Sequence, residues 1–155
     1  MMARRDTIIG FNELIRDFER LGKVPQSAAT RGAHAGGRIA LKAAKALAPV
    51  DTGELRDGII LKGEKNRVRG KKVNDVMMDP AKNHIFVKTT KEGKRYYYPA
   101  SQEYGYLTVD GQYIPGYGFL RRAVDDNAEA IERKILEVAG KEVDKALRKS
   151  QARRR

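Results

Sequence analysis

Apolar positions recur with two different periods along the 155-residue chain, and the change of period divides it. Phe11, Leu14, Ile15, Phe18 and Leu21 fall three and four apart, which predicts a helix over residues 8–21 with Thr7 as its cap. Gly22 ends that pattern, and Pro25, which lacks a backbone N–H, keeps it from resuming at once. A second helix is expected from a Ser27 cap to Leu47, with a thin inner face of Ala35, Ile39, Ala43 and Leu47. Gly36 and Gly37 in its middle each cost about 1 kcal/mol relative to alanine, so a weak or bent point is expected there. Their small size also permits close approach of another helix, including one from another subunit.

After Gly58 the pattern shortens. Ile59, Ile60 and Leu61 suit a strand, residues 73–78 a weaker one, and residues 85–89 a better one with Ile85 and Val87 on one face, Phe86 and Lys88 on the other. Glu92-Gly93 marks a hairpin turn and residues 95–98 its return strand. Residues 99–104 leave the sheet as a helical turn, and Asp110-Gly111 signals a second hairpin within residues 106–113. Leu120, Val124, Ala128, Ile131, Ile135, Val138, Val143, Ala146 and Leu147 then trace one long helix. Its acids lie early and its cations late, as the helix dipole favours. The expected fold is α+β in a single domain. A mostly antiparallel sheet packs with two N-terminal helices and one long C-terminal helix. Residues 1–6 and 150–155 are expected to be flexible arms.

Composition narrows the chemistry. With 41% hydrophobic and 34% charged residues, the chain can build only a small core. No stretch of about 18 apolar residues exists, so no membrane span is expected. The basic start is not followed by an apolar region, so no secretory signal is expected. Cysteine is absent, which removes disulfides and thiolate metal sites and fits a cytoplasmic origin. The net charge of +12 suits nucleic acid or an acidic protein surface. Much of it lies in a basic loop, residues 62–72, with Lys62, Lys65, Arg67, Arg69, Lys71 and Lys72 against Glu64 alone. Few apolar anchors leave this loop solvated and mobile by expectation.

One stretch organises the rest. Pro49 ends the second helix, Asp51 or Thr52 can cap a new turn, Gly53 gives backbone freedom, Leu55 is an apolar anchor and Arg56 a planar cation. Residues 49–56, followed by Ile59, resemble the signature of the tail-completion, or head–tail connector, proteins of long-tailed bacteriophages. Tyr98, Glu103, Tyr104 and Gly105 resemble that family's tyrosine followed by Glu-aromatic-Gly. Phe119-Leu120-Arg121-Arg122-Ala123 resembles its Phe-Leu-Arg-Pro-Ala. The three blocks stand in family order across roughly residues 11–147. Gly118 and Arg122 occupy positions where the family often has proline, and Tyr106 one where it often has threonine.

The resemblance implies a structural virion protein that completes the tail or joins tail to head, acting as a ring at the neck. The implied partners are further copies of itself (a hexamer), tail-tube and head-connector proteins, and non-specific contact with DNA in the channel. The implied location is the virion neck or tail, and the host cytoplasm during assembly. It makes Pro49, Asp51, Thr52, Gly53, Leu55, Arg56, Glu103, Gly105, Phe119 and Leu120 a structural and interface motif without catalysis.

The same residues admit other chemistry. Asp51-Thr52-Gly53 also occurs in aspartic proteases, but there the aspartate is one of a pair sharing a proton, and this chain has one triplet. Glu103 lacks a nearby histidine, cysteine or second acid, so ion pairing with an arginine, Arg56 for instance, or backbone capping explains it better than catalysis. His34 and His84 do not have ligand spacing, and no phosphate loop exists, so no metal and no cofactor is expected. Tyr98, Tyr104, Tyr106 and Tyr117 are candidate interface residues, since tyrosine pairs an apolar body with a polar tip. Tyrosines beside cations also suit stacking on single-stranded nucleic acid. The basic loop is a candidate for lining a DNA channel. The alternatives to a neck protein are therefore a non-sequence-specific nucleic-acid-binding protein and, behind it, a small hydrolase.

Overall fold

The structure, a computed structural model, describes residues 11–65 and 68–152, with side chains from Glu19 onward. The expected arm at 1–6, the Thr7 cap, the apolar face of Phe11, Leu14, Ile15 and Phe18, Arg67, and the residues after Ala152 lie outside what it describes. Residues 150–152, expected as part of an arm, continue the last helix.

The N-terminal region up to Leu47 is one helix and not two. Helix α1 runs Phe11–Leu47, 37 residues with Pro25 inside, or about 55 Å. Pro25 removes one backbone hydrogen bond, which costs about 3 kcal/mol in a helix interior, but packing of the turns beyond it keeps the helix continuous. The opened turn is also bridged from outside. The Arg69 guanidinium donates to Gly22 O, Gly70 N–H donates to Gln26 Oε1 at 2.8 Å, and Gln26 Nε2 donates to Lys71 O at 3.2 Å.

A ladder of small residues carries that packing. Ala28, Gly32, Gly36, Ala40 and Ala44, and Ala48 just past the helix end, follow one another at intervals of four and are all buried. Helix α6 (Ala128–Ala152) lies along the first part of the ladder. A Cβ on Gly36 would stand 2.7 Å from Ile135 Cγ1 and 3.1 Å from Ile131 Cγ2, and one on Gly32 3.1 Å from the Ile135 carbonyl oxygen. The glycines thus admit a second helix of the same chain. Gly37 makes the equivalent room for Leu61, whose Cδ1 would lie 2.7 Å from a Cβ there. The expected inner face was one position off, since Ala35, Ile39, Ala43 and Leu47 are only half-buried. An ion pair of 2.7 Å between Arg31 Nη1 and Glu142 Oε1 joins the same two helices.

Helix α5 (Phe119–Asp125) precedes α6 and is separated from it by a turn at Asp126 and Asn127, where Asn127 Nδ2 donates to Ala123 O at 3.0 Å. The expected unbroken stripe is therefore split. Ile131, Ile135 and Val138 are half-buried, while Val124, Val143 and Leu147 are exposed. On the outer face of α6, hydrogen bonds from Lys141 and Lys134 hold the Glu137 carboxyl down to about 2.

The strands form three separate antiparallel pairs instead of one sheet. Strand β1 (Ile59–Gly63) pairs with β2 (Asn74–Met78), β3 (Val87–Thr89) with β4 (Arg95–Tyr97), and β5 (Gly105–Leu107) with β6 (Tyr113–Pro115). The latter two hairpins share a turn. Thr90 and Thr108 accept backbone N–H groups of Gly93 and Gly111, and their Oγ1 atoms accept from Lys94 and Gln112 N–H at 3.1 Å. Short helices fill the gaps: α2 (Glu54–Asp57), α3 (Asn83–Phe86) and α4 (Tyr98–Tyr104). The α3 turn overturns the strand expected from Ile85, because it sends Phe86 inward, 1% exposed and edge-on to Tyr97 at 6.2 Å between ring centroids. One core results, from Ala44, Ala48, Leu55, Ile59, Met78, Phe86, Phe119 and Ala123.

Two glycines test the seam. Gly36→Val, forced against Ile135, is expected to destabilise by about 1–3 kcal/mol. Gly140→Ala, where nothing lies within 4 Å, is expected to gain about 1 kcal/mol from helix propensity. Thermal melting reads both, and a seam without close packing would let Gly36→Val stabilise as well.

Candidate interaction site

The corner after α1 forms because Pro49 cannot extend the helix and Gly53 reverses the chain with φ 85° and ψ −8°. An L side chain in that left-handed conformation costs about 1–2 kcal/mol. Backbone groups close the turn, with Asp57 N–H on Gly53 O and Gly58 N–H on Glu54 O, both at 2.9 Å. The expected side-chain cap is not what starts α2. Thr52 Oγ1 lies 3.5 Å from Glu54 N, and Asp51 is exposed. Leu55 points inward, 4% exposed. Arg56 points outward, its Nε 3.2 Å from Asp57 Oδ1.

Glu103 makes the join between the second and third sequence blocks. It is 8% exposed. Its Oε2 accepts from Leu120 N–H at 2.8 Å and its Oε1 from Arg121 N–H at 3.0 Å. Those are first-turn donors of α5, which have no partner within the helix. The suggested Glu103–Arg56 pair is not formed, because Arg56 lies on the exposed side of the corner. Gly105 adopts φ 89°, where a Cβ would collide with Ile114 O, so the motif glycine serves the β5–β6 crossing. Phe119 is fully buried in the core beside Leu55, and Leu120 packs against it half-buried.

A cleft of about 220 Å³ lies between the corner and the β3–β4 hairpin, walled by Asp51, Thr52, Glu54, Lys88, Tyr96 and Tyr98. Here the first block meets Tyr98. Burial, and then the negative charge of Asp51, push the Tyr98 phenol above its ordinary value. It stays a neutral donor through the physiological range.

The remaining candidate tyrosines gather elsewhere. Tyr104, Tyr106 and Tyr117 are exposed around the β5–β6 hairpin. They stand beside Leu107, Val109, Tyr113 and Ile114, all exposed. Reasoning from tyrosines alone missed Leu107, Val109 and Ile114. The signal was available, because residues 104–118 carry a single charged side chain, Asp110, in a chain that is 34% charged.

The basic loop is less free than expected. Lys62 belongs to β1, opposite Asp75. Arg69 is committed to Gly22 O, and Lys72 Nζ donates to Glu64 O at 2.6 Å. Lys65 and Lys71 are exposed.

Among the described residues no three His, Cys, Asp or Glu side chains converge to hold a metal, and no helix is long and apolar enough to cross a membrane. The family described as "Bacteriophage HK97-gp10, putative tail-component" matches residues 12–98, more than half of the chain. The match covers α1, the corner and the first two hairpins, and ends at Tyr98. Neither a curated protein nor a solved structure matches.

Two substitutions separate frame from surface. Glu103→Ala, leaving two helix donors unpaired in a buried setting, is expected to lose about 2 kcal/mol in urea unfolding, with Glu103→Gln recovering part of it. Gly53→Ala is expected to lose about 1–2 kcal/mol, while exposed Asp51→Ala stays within about 0.5 kcal/mol of the parent. A large loss at Asp51 would restore the capping role denied to it here.

Proposed function

Because the chain belongs to the bacteriophage HK97-gp10-like tail-component family, we propose that it is the structural protein that completes the tail and joins it to the head, closing as a ring at the neck. Its membership makes it a phage tail structural protein, and the finer assignment rests on one observation. The β5–β6 hairpin stands away from the core with Tyr104, Tyr106, Leu107, Val109 and Tyr113 exposed. A two-stranded hairpin is at best marginal alone, and contiguous exposed apolar surface marks an interaction site.

The mechanism is geometric. The hairpin presents one surface, and the cleft beside the corner presents another, with Asp51 and Glu54 on its rim. Two different surfaces on one subunit make a head-to-tail contact, which closes a ring when the rotation per subunit divides the circle. The family resemblance makes six copies the expected number. Such a ring caps the tail tube and offers the head connector a fixed face, and nothing in that role needs turnover.

Deletion from the phage or prophage tests this. DNA synthesis and head formation are expected to continue while heads and tails accumulate separately in micrographs. Tyr104→Ala and Tyr106→Ala are expected to leave the subunit folded and to cut joined particles. A buried interface tyrosine carries about 2 kcal/mol, roughly a 30-fold change in affinity. Complete infectious virions from the deletion, or a block in head assembly, would overturn the neck assignment.

A further inference from the structure

From Arg20 to Val50 the chain contains no aspartate or glutamate, although 34% of all its residues are charged. That stretch forms most of α1, whose buried ladder fixes which way it faces. Lys23, Ser27, Thr30, His34, Arg38, Lys42 and Lys45 follow one another at intervals of three and four, so they share one stripe of the helix. Lys23, His34, Arg38 and Lys42 are exposed, and Lys45 is half-buried. From Lys23 to Lys45 the stripe runs about 33 Å, close to one turn of duplex DNA at roughly 34 Å.

The charges on it are unspent. Of the α6 carboxylates, Glu142 is taken by Arg31 and Glu137 by Lys134 and Lys141, and no ion pair among the described residues joins Glu129, Glu132 or Asp144 to the stripe. Arg38, Lys42 and Lys45 have no carboxylate partner among the described residues. Two grooves open beside the stripe, of about 610 Å³ along His34, Arg38 and Lys42, and about 690 Å³ along Lys23, Thr30 and Arg31. No acidic residue lines either one. The contrast with the β1–β2 loop is direct, since Arg69 and Lys72 there already serve backbone carbonyls.

We propose that this stripe of α1, and not the β1–β2 loop, is a binding face for the phosphate backbone of duplex DNA. As the wall of a DNA channel it rests on the neck reading above, whereas its affinity for duplex does not. A protein partner would be expected to seat on exposed apolar anchors, whereas the exposed positions of this stripe, Lys23, His34, Arg38 and Lys42, are cations and a histidine, and Ile39 and Leu41 in the groove beside it are half-buried. The Thr30 hydroxyl, which accepts from Gln26 Nε2, keeps its own O–H as a phosphate donor without sequence preference, whereas Ser27 Oγ already donates to Glu142 Oε2 at 3.4 Å. Binding is therefore independent of sequence and falls steeply with salt as counterions are released.

The test uses the full-length protein, a duplex of about one and a half turns, and titrations from about 50 to 200 mM salt, the range over which phosphate contacts are resolved. Substituting glutamine at Arg38, Lys42 and Lys45 together is expected to flatten the slope of log K against log salt by about 2 to 3, near 0.9 for each lost contact. The same change at Lys62, Lys65 and Lys71 is expected to move it by less than about 1. Circular dichroism checks that both variants stay folded. Equal flattening by both variants, flattening by the loop variant alone, or no duplex binding at low salt would each overturn the proposal. Binding to polyglutamate but not to duplex would also overturn it, in favour of an acidic protein partner. The neck assignment fails separately, through the particles left by the deletion, so each reading can fall while the other stands.

Discussion

Helix α6 can lie against α1 because α1 presents almost no side chains where the two meet. Ala28, Gly32 and Gly36 bring the backbones close enough for Ile135 to fill the space two glycines leave. The rest of the architecture follows from that seam. The same ladder, continued by Ala40, Ala44 and Ala48, admits the core built on Phe119, Ile59 and Phe86. It keeps α1 continuous past Pro25. By fixing which side is inside, it sends Lys23, Arg38 and Lys42 to the other side, while Arg31 at the edge of the seam pairs with Glu142. A close seam of small residues adds dispersion contacts at little cost in side-chain entropy. That suits a chain too highly charged to build a large apolar core.

The sequence was most legible where a residue type has a single mechanical use. Pro49 and Gly53 made the corner, Gly93 and Gly111 the two hairpin turns, and Glu103 a carboxylate bound to backbone N–H groups. It was least legible where a residue had several uses. An alanine-rich helix has no large side chains to fix its phase, so the pattern points to Ala35 and Ile39 while the true contact runs through Gly36 and Ala40 beside them. Pro25 and Gly22 together read as a break, because the tertiary packing that overrides them lies more than a hundred residues away on α6. Phe86 read as half of an alternating strand, because a one-turn helix is too short to show a period. The motif block and Glu103 were each recognised, yet they meet through Phe119 and Leu120 in the core and not through Arg56.

Three surfaces emerge from the frame with different chemistry. The cleft by the corner is small and acid-rimmed, the β5–β6 hairpin is apolar and nearly uncharged, and the outer face of α1 from Lys23 onward is cationic and carries no acid of its own. Copies of a chain carrying +12 repel one another over most of their surface, so in the ring proposed above the neutral hairpin is the surface left for contact between copies. The cationic face is then left for a polyanion. The family match assigns the chain to phage tails, and this division of surfaces fits the proposed ring subunit, which would touch its own kind, other proteins and passing DNA.

The most direct measurement is cryo-electron microscopy of the intact virion at a resolution that traces this chain. The expected result is a ring at the head-proximal end of the tail, with the β5–β6 hairpin of each copy seated on its neighbour and the Arg38 to Lys45 face of α1 turned toward the channel. A protein missing from the virion, found at the distal tail tip, or present with its hairpins in solvent and α1 on the outer wall would contradict it.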